Sequence, residues 1–104
     1  MVNYQLTPGA DDDLLDIARY TIRTWGEEQA NRYEAKLLAA FESIGQGSAS
    51  KKAVLKEERL DLQVTRCEHH YIFWSLRKNR PPLILAVLHE NMKLMARLRE
   101  RLGS

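Results

Sequence analysis

The chain has 104 residues, of which 44% are hydrophobic and 29% charged, which is typical of one small globular domain. No apolar run approaches the roughly 20 residues that a membrane-spanning helix needs, and residues 1–4 show no feature of a secretion signal. Cys67 is the only cysteine, which excludes an internal disulfide and a multi-cysteine zinc site. These features predict a single-domain cytoplasmic protein with no metal and no cofactor.

The net charge of +2 conceals two halves of opposite charge. Residues 1–50 have eight acidic and four basic side chains, a net of −4, whereas residues 51–104 have six acidic and twelve basic ones, a net of +6. A basic half can face nucleic acid or an acidic partner protein. The candidates for a nucleic-acid-binding module are Arg66, Arg77, Lys78, Arg80 and the basic last helix, but no recognisable DNA-reading motif accompanies them.

The N-terminal half predicts a strand and a helical hairpin. Residues 2–6 alternate apolar and polar side chains, and Thr7-Pro8 is typical of a helix N-cap followed by proline at the first helical position. The first helix is expected to end at Gly26 and the second at residues 45–48. The apolar stripe of the first helix is Leu14, Ile17, Ala18, Thr21, Ile22 and Trp25, and Trp25 is expected in the core. The apolar stripe of the second helix is Ala30, Tyr33, Leu37, Ala40, Phe41 and Ile44.

Three consecutive aspartates, Asp11, Asp12 and Asp13, lie near the start of the first predicted helix. Adjacent residues on a helix point in different directions, so these carboxylates cannot converge on one metal ion. The positive end of the helix dipole favours carboxylates at this position. The aspartates are therefore expected to stabilise the helix start.

The C-terminal half predicts a sheet followed by a helix. Residues 45–59 are rich in Gly, Ser, Ala and Lys and indicate a loop, whereas residues 60–65 alternate as a half-buried strand does. Residues 69–77 and 83–89 then form a hairpin, whose second strand is apolar from 83 to 88 and is expected to be central in the sheet. The last helix carries an apolar stripe of Met92, Met95, Leu98 and Leu102.

These elements predict one α+β domain over residues 1–104, with an N-terminal strand, an antiparallel two-helix hairpin, a three-stranded antiparallel sheet and a C-terminal helix. The pattern resembles the ParE branch of the RelE/ParE toxin superfamily over essentially the whole chain. Residues 45–59 depart from the family pattern because they lack its proline. The residues that carry the resemblance are Leu6-Thr7, Ala10, Asp13-Leu14, Asp16-Ile17, Tyr20-Thr21, Trp25-Gly26, Gln29-Ala30, Tyr33, Arg66, His70-Tyr71-Ile72-Phe73-Trp74, Ile84-Leu85, Val87-Leu88-His89, Met92 and Leu98.

The resemblance implies a cytoplasmic bacterial toxin of a type II toxin–antitoxin system. Such a toxin forms a hetero-oligomer with a ParD-like antitoxin, which folds onto it and which alone contacts operator DNA. ParE-type toxins inhibit DNA gyrase by binding, whereas RelE-type relatives cleave mRNA on the ribosome. Because a fold does not determine a function, both activities remain hypotheses at this point.

Two sets of residues are candidates for these contacts. Met92, Met95 and Leu98 are expected to bind the antitoxin, since methionine adapts to varied partners, although packing of the last helix in the core explains the stripe equally well. The sheet surface that faces the target is expected to consist of Arg66, His70, Tyr71, Trp74, Arg77 and His89.

A ribonuclease site would need a base, a cation and an acid. Arg66, His70, Arg77, His89 and the lysines of residues 51–56 are the candidates. His69 and His70 are adjacent in a predicted strand, so they are expected to point to opposite faces and not to cooperate. The chain after His89 also has no tyrosine or histidine to act as an acid. Binding without catalysis is therefore the preferred function.

Overall fold

The computed structural model describes residues 3–57 and 60–103. Three helices and five strands follow one another along the chain as β1 (Gln5–Leu6), α1 (Pro8–Trp25), α2 (Glu27–Gln46), β2 (Lys52–Glu57), β3 (Leu60–Cys67), β4 (His70–Ser75), β5 (Leu83–His89) and α3 (Leu94–Gly103). No helix in this part of the chain is long and apolar enough to cross a membrane.

The strands form one mixed sheet in the order β1-β5-β4-β3-β2. The three pairings among β2, β3, β4 and β5 are antiparallel, whereas the short β1 runs parallel to β5. The α+β class and the order of the predicted elements are confirmed. The expected three-stranded antiparallel sheet is wrong, because the sheet has five strands and one parallel pair.

The sequence did not predict strand β2, which lies within residues 45–59, the segment expected to be a loop. Lys52 and Ala53 pair with Val64 and Gln63 of β3, and no strand in the described ranges pairs with the other side of β2. The side chains of residues 51–53 are exposed. The sequence of β2 has no alternating apolar pattern, so its pairing with β3 is what stabilises it as a strand.

The ends of the helices follow local capping chemistry. The backbone N–H of Ala10 donates to Thr7 Oγ1 at 3.1 Å, and Pro8 is the first helical residue, as predicted. Gly26 separates the two helices with φ of +92°. The second helix continues through Gly45, where it was expected to stop, and ends at Gln46 before Gly47, which has φ of +78°.

Helices cover both faces of the sheet. The hairpin of α1 and α2 packs through Leu37, Phe41 and Ile44 on one face, and α3 packs through Leu98 on the other. The sheet contributes Ile72, Trp74, Ile84 and Val87 to the hairpin side, and Phe73, Ala86 and Leu88 to the α3 side. This two-sided cover determines which of the candidate residues are accessible.

A bulge in β5 allows Ile84 and Val87 to face the same side, although they are three residues apart. Trp74 pairs with Ile84 and Phe73 pairs with Ala86, which leaves Leu85 as the extra residue. The carbonyl oxygen of Leu85 accepts hydrogen bonds from the hydroxyl of Thr7 at 3.2 Å and from Arg101 Nη1 at 2.9 Å. Side chains from α3 and from the start of α1 therefore meet at this irregular edge.

Candidate functional site

The six residues expected on the target-facing sheet surface do not form one surface. Arg66, Tyr71 and His89 lie together at the end of the sheet where β3 turns into β4. Arg77 follows the opposite end of β4. His70 and Trp74 are only 7% and 2% exposed.

For His70 and Trp74 the predicted exposed position is wrong, because both side chains face the helical hairpin. Trp74 belongs to the core cluster that contains Phe41 and Leu37. Its indole N–H donates to Thr65 Oγ1 at 3.0 Å, so the buried polar atom is satisfied. Alternation along β4 correctly grouped Trp74 with Ile72, but it did not show that the hairpin covers this face.

Arg66 is the centre of an exposed polar network at the β3–β4 end. Its guanidinium forms an ion pair with Glu90 at 2.6 Å and donates to the hydroxyl of Tyr71 at 3.0 Å. It also lies 5.2 Å from the centroid of the Tyr71 ring, and its Nε donates to the carbonyl oxygen of Glu68 at 3.1 Å. Three partners thus hold the Arg66 side chain in place.

Three histidines lie together at this end of the sheet, where His89 is the neighbour of both His69 and His70. His69 lies in the turn after β3, next to Glu68 with φ of +54°, and so does not follow strand alternation. The ring centroid of His89 lies 6.4 Å from that of His69 and 5.0 Å from that of His70. His69 Nδ1 is also 2.8 Å from Glu90 Oε2.

His70 is the buried member of the histidine cluster. Burial, together with the neighbouring His89 and His69, lowers the pKa of His70 from 6.5 to about 4. The hydroxyl of Tyr33 lies 2.5 Å from His70 Nδ1 and accepts the backbone N–H of His69 at 3.2 Å. The phenol therefore shares a hydrogen bond with a neutral imidazole and ties α2 to the β3–β4 turn.

Arg77 is held at the other end of the sheet. Its Nε and Nη2 donate to the carbonyl oxygen of Pro81 at 3.0 and 2.7 Å, and Nη2 also donates to Gln5 Oε1 at 2.6 Å. These contacts brace the β4–β5 turn against β1. Arg77 is thus separated from Arg66 and the histidines, and it has a structural role of its own.

Of the three residues expected to bind the antitoxin, two are exposed and one is buried. Met92, which precedes α3, and Met95 are 44% and 41% exposed. Leu98 is fully buried and packs with Phe73, Ala86 and Leu88. Core packing is therefore the correct interpretation for Leu98, whereas the two methionines remain accessible to a partner.

Asp13 and Arg101 form a contact that the sequence did not indicate. Arg101 Nη2 lies 3.0 Å from Asp13 Oδ1, and Arg101 Nη1 donates to Asp13 Oδ2 at 3.1 Å. Asp13 Oδ2 also accepts the backbone N–H of Val87 at 2.9 Å. The hydrogen bonds that Arg101 donates to the Asp13 carboxylate raise the pKa of Arg101. Asp13 therefore joins α1, β5 and α3, which is more than the helix-start role expected of it.

The described residues offer little for metal or thiol chemistry. No group of three or more His, Cys, Asp and Glu side chains among them is placed to hold a metal ion. Cys67 is half-buried, and burial raises the pKa of its thiol, which keeps the reactive thiolate scarce.

Similarity to known proteins covers almost the whole chain. Residues 4–94 match the family described as ParE toxin of type II toxin-antitoxin system, parDE. The Escherichia coli protein named Toxin ParE is 44% identical over 102 residues, which is 98% of both chains. The Caulobacter vibrioides protein named Toxin ParE1 is 33% identical over 100 residues, covering 94% of this chain and 99% of that protein.

The fold is also that of a solved structure titled Chromosomal ParDE TA system from P. aeruginosa. The TM-score is 0.69 with 16% sequence identity, and the match covers 86% of this chain and 96% of the other. The family match, the two relatives and the shared fold agree. The chain belongs to the ParE toxin family of type II toxin–antitoxin systems.

Proposed function

We propose that this protein inhibits DNA gyrase by direct binding, without catalysis, and that a ParD-like antitoxin neutralises it. The observation that supports this most strongly is the family match over residues 4–94, together with the 44% identity to Toxin ParE. Gyrase acts on chromosomal and plasmid DNA, so the proposal places the toxin in the cytoplasm. Operator DNA is contacted through the antitoxin.

The positions of the nuclease candidates support binding over catalysis. Arg66 is engaged by Glu90 and Tyr71, and Arg77 by Pro81 and Gln5. His70 is hydrogen-bonded to Tyr33 in a buried position, where its low pKa makes it a weak base. A phosphate would have to replace internal contacts of each of these side chains.

The antitoxin contact is proposed at Met92 and Met95. Both side chains are exposed, and the basic residues Lys93, Arg97 and Arg99 are exposed beside them. An amphipathic segment with apolar anchors and acidic flanks would complement this surface. Leu98 supports this surface indirectly, because its buried side chain holds α3 against the sheet.

The alternative is a ribosome-dependent endoribonuclease, and one arrangement favours it. His69 Nδ1 faces the Glu90 carboxylate, which leaves the other ring nitrogen of His69 able to accept a proton. His89 Nδ1 accepts the backbone N–H of Asn91 at 3.1 Å, which places the hydrogen of the neutral ring on its other nitrogen as a hydrogen-bond donor. A base beside a hydrogen-bond donor, with ring centroids 6.4 Å apart, could serve phosphodiester cleavage.

One experiment separates these functions. The toxin is induced alone in a bacterium, and DNA synthesis and protein synthesis are followed by separate label incorporation. Early loss of DNA synthesis, relieved by the antitoxin, supports gyrase inhibition, and purified toxin should then block supercoiling by purified gyrase. Early loss of translation with cut mRNA, abolished by His69→Ala and by His89→Ala, would establish the nuclease.

A further inference from the structure

The first helix has two apolar stripes, and only one of them lies in the core. Leu14 and Ile17 pack against the core cluster, and Thr21 is buried. Ile22 and Trp25 are 50% and 66% exposed, although both were expected to continue that stripe. The expectation that Trp25 lies in the core is wrong, because residues 22–29 are all exposed and this end of the hairpin extends beyond the packed region.

The second apolar stripe of α1 lies on its exposed side. It consists of Leu15, Ala18, Ile22 and Trp25, whose spacing of three and four residues places them within an arc of about 80° at 100° per residue. Leu15 is 49% exposed and Ala18 is half-buried. Tyr20 is exposed on the opposite side of the helix. The exposed stripe therefore has the spacing through which helices pack on one another.

Charged side chains line one flank of the exposed stripe, and their sign changes along the helix. Asp12 and Asp16 occupy the N-terminal half of this flank, and Arg19 and Arg23 occupy the C-terminal half. At 100° per residue the four lie within about 60° of one another, beside Leu15. All four are exposed, and none forms a salt bridge with another residue of the described ranges. The flank is therefore acidic at one end and basic at the other.

This charge pattern complements a reversed copy of itself. In an antiparallel pair of α1 helices the acidic half of each flank lies against the basic half of the other, whereas a parallel pair places like charges together. A two-fold axis beside Ala18 sets Leu15 of one copy opposite Ile22 of the other. Asp16 of the first copy then lies close to Arg23 of the second. The short side chain of Ala18 allows the helices to approach closely where they cross.

We propose that two copies of this toxin associate through their α1 helices, packed antiparallel about a two-fold axis beside Ala18. The partner is a second copy of the chain, because one helix supplies both the apolar stripe and the charges that complement it, as a two-fold interface requires. Two crossing helices bury less than the roughly 1,600 Å² of a standard interface, so the dissociation constant should be on the order of 10–100 μM. The inference goes beyond the proposed function and requires neither gyrase nor an antitoxin.

The apolar stripe is tested by sedimentation equilibrium of the purified toxin from about 1 to 300 μM. Leu15→Gln and Ile22→Gln should each weaken self-association at least tenfold, because a two-fold interface contains each substitution twice. The matched control is Tyr20→Gln, on the opposite side of α1, which should change the dissociation constant less than twofold. Urea unfolding confirms that the variants are folded, which is expected because all three side chains are exposed.

The charge arrangement is tested with Asp16→Arg and Arg23→Asp. Each single variant should associate about fivefold more weakly at low salt, because it places like charges across the interface. Arg23→Asp removes one positive charge and adds one negative charge, which lowers the net charge of +2 to zero, so overall repulsion between copies cannot explain a weaker association. The double variant restores opposite charges and should associate within twofold of the wild type. A double variant as weak as the single ones would contradict the antiparallel arrangement.

Three outcomes would overturn the inference. A wild-type toxin that remains monomeric at about 300 μM excludes the pair. Self-association that is unchanged in Leu15→Gln and Ile22→Gln shows that the copies use another face. If the wild type is monomeric and these two variants lose affinity for the co-expressed antitoxin in calorimetry, the stripe binds the antitoxin and not a second copy. Gyrase inhibition is measured separately by supercoiling, so the proposed function stands or fails independently.

Discussion

Arg101 and Asp13 are 88 residues apart in the chain, and they form a two-point ion pair with nitrogen–oxygen distances of 3.0 and 3.1 Å. The pair joins the last helix to the start of the first across the bulged edge of β5, where Arg101 also donates to the carbonyl oxygen of Leu85. Their side chains are 31% and 14% exposed. This contact and the burial of Leu98 attach α3, with the proposed antitoxin surface, to the domain.

Removing either partner should weaken the fold. Asp13→Ala leaves a partly buried guanidinium and the backbone N–H of Val87 without their acceptor, so we expect a loss of about 2–3 kcal/mol in the free energy of unfolding. Urea unfolding of Asp13→Ala, Arg101→Met and the double variant measures their coupling. The control is Glu100→Ala, which removes a 3.5 Å surface pair with Arg97 and should cost less than about 0.5 kcal/mol. Equal effects of Asp13→Ala and Glu100→Ala would contradict the structural role.

Stability should fall in mild acid because of His70. Its pKa is about 4 in the folded protein and 6.5 in the unfolded chain, so between these values the unfolded chain binds the proton more readily. The contribution is therefore present above pH 6.5 and is lost as the pH falls toward 4, by about 3 kcal/mol.

The His70→Asn variant provides the comparison. An asparagine side chain can still accept the Tyr33 hydrogen bond but does not titrate, so the pH slope of its unfolding free energy should be smaller than that of the wild type. His69 and His89 are present in both proteins, so the comparison isolates the substitution at position 70. Identical slopes from pH 7 to pH 4.5 would show that His70 is not the titrating group.

Substitution of Leu98 should lower stability, whereas substitution of Met95 should lower affinity for the antitoxin. Leu98→Ala removes a fully buried side chain and should cost about 2–5 kcal/mol of stability. Met95→Glu changes a side chain that is 41% exposed, so stability should change little, while affinity for the antitoxin should drop at least tenfold because a charge would be buried on binding. Thermal unfolding and calorimetry with the antitoxin separate the two effects. Unchanged antitoxin affinity in a folded Met95→Glu protein would rule out this surface.

Gly45 should resist replacement by alanine, although alanine normally favours a helix interior by about 1 kcal/mol. A Cβ atom at this position would lie 2.6 Å from the backbone oxygen of Asn3, so the N-terminal segment would have to move. We expect Gly45→Ala to lose about 1–3 kcal/mol in urea unfolding. Gly103→Ala is the matched control, because nothing lies within 4 Å of its Cβ position, and it should lose nothing.

Local chemistry accounts for the features that could be predicted from the sequence. Thr7, Pro8 and Gly26 act on their immediate neighbours, so the start of α1 and the turn between the helices follow from residue types alone. The stripe of Leu37, Phe41 and Ile44 likewise shows which face of α2 is buried. The sequence of the edge strand β2 has no such apolar pattern, because its pairing with β3 is what stabilises it.

The candidate site was harder to predict for the same reason. Alternation placed His70 and Trp74 on one face of β4, but only the packing of the hairpin shows that this face is covered. His69 was assigned to a strand, whereas the left-handed turn at Glu68 directs it toward His89 and Glu90. Turn geometry of this kind depends on how two strands meet, and no residue type near Glu68 predicts it.

The sequence by itself determined the class of the domain, the order of the predicted elements, the helix boundaries near Thr7 and Gly26, and the family, because each depends on neighbouring residues or on a pattern along the whole chain. Only the tertiary structure decided that Trp25 is exposed, that Leu98 and Trp74 are buried, and that Asp13 meets Arg101. The physical reason is that burial and pairing depend on which elements cover one another. Such long-range contacts are determined by the packing of the whole domain and not by any one segment.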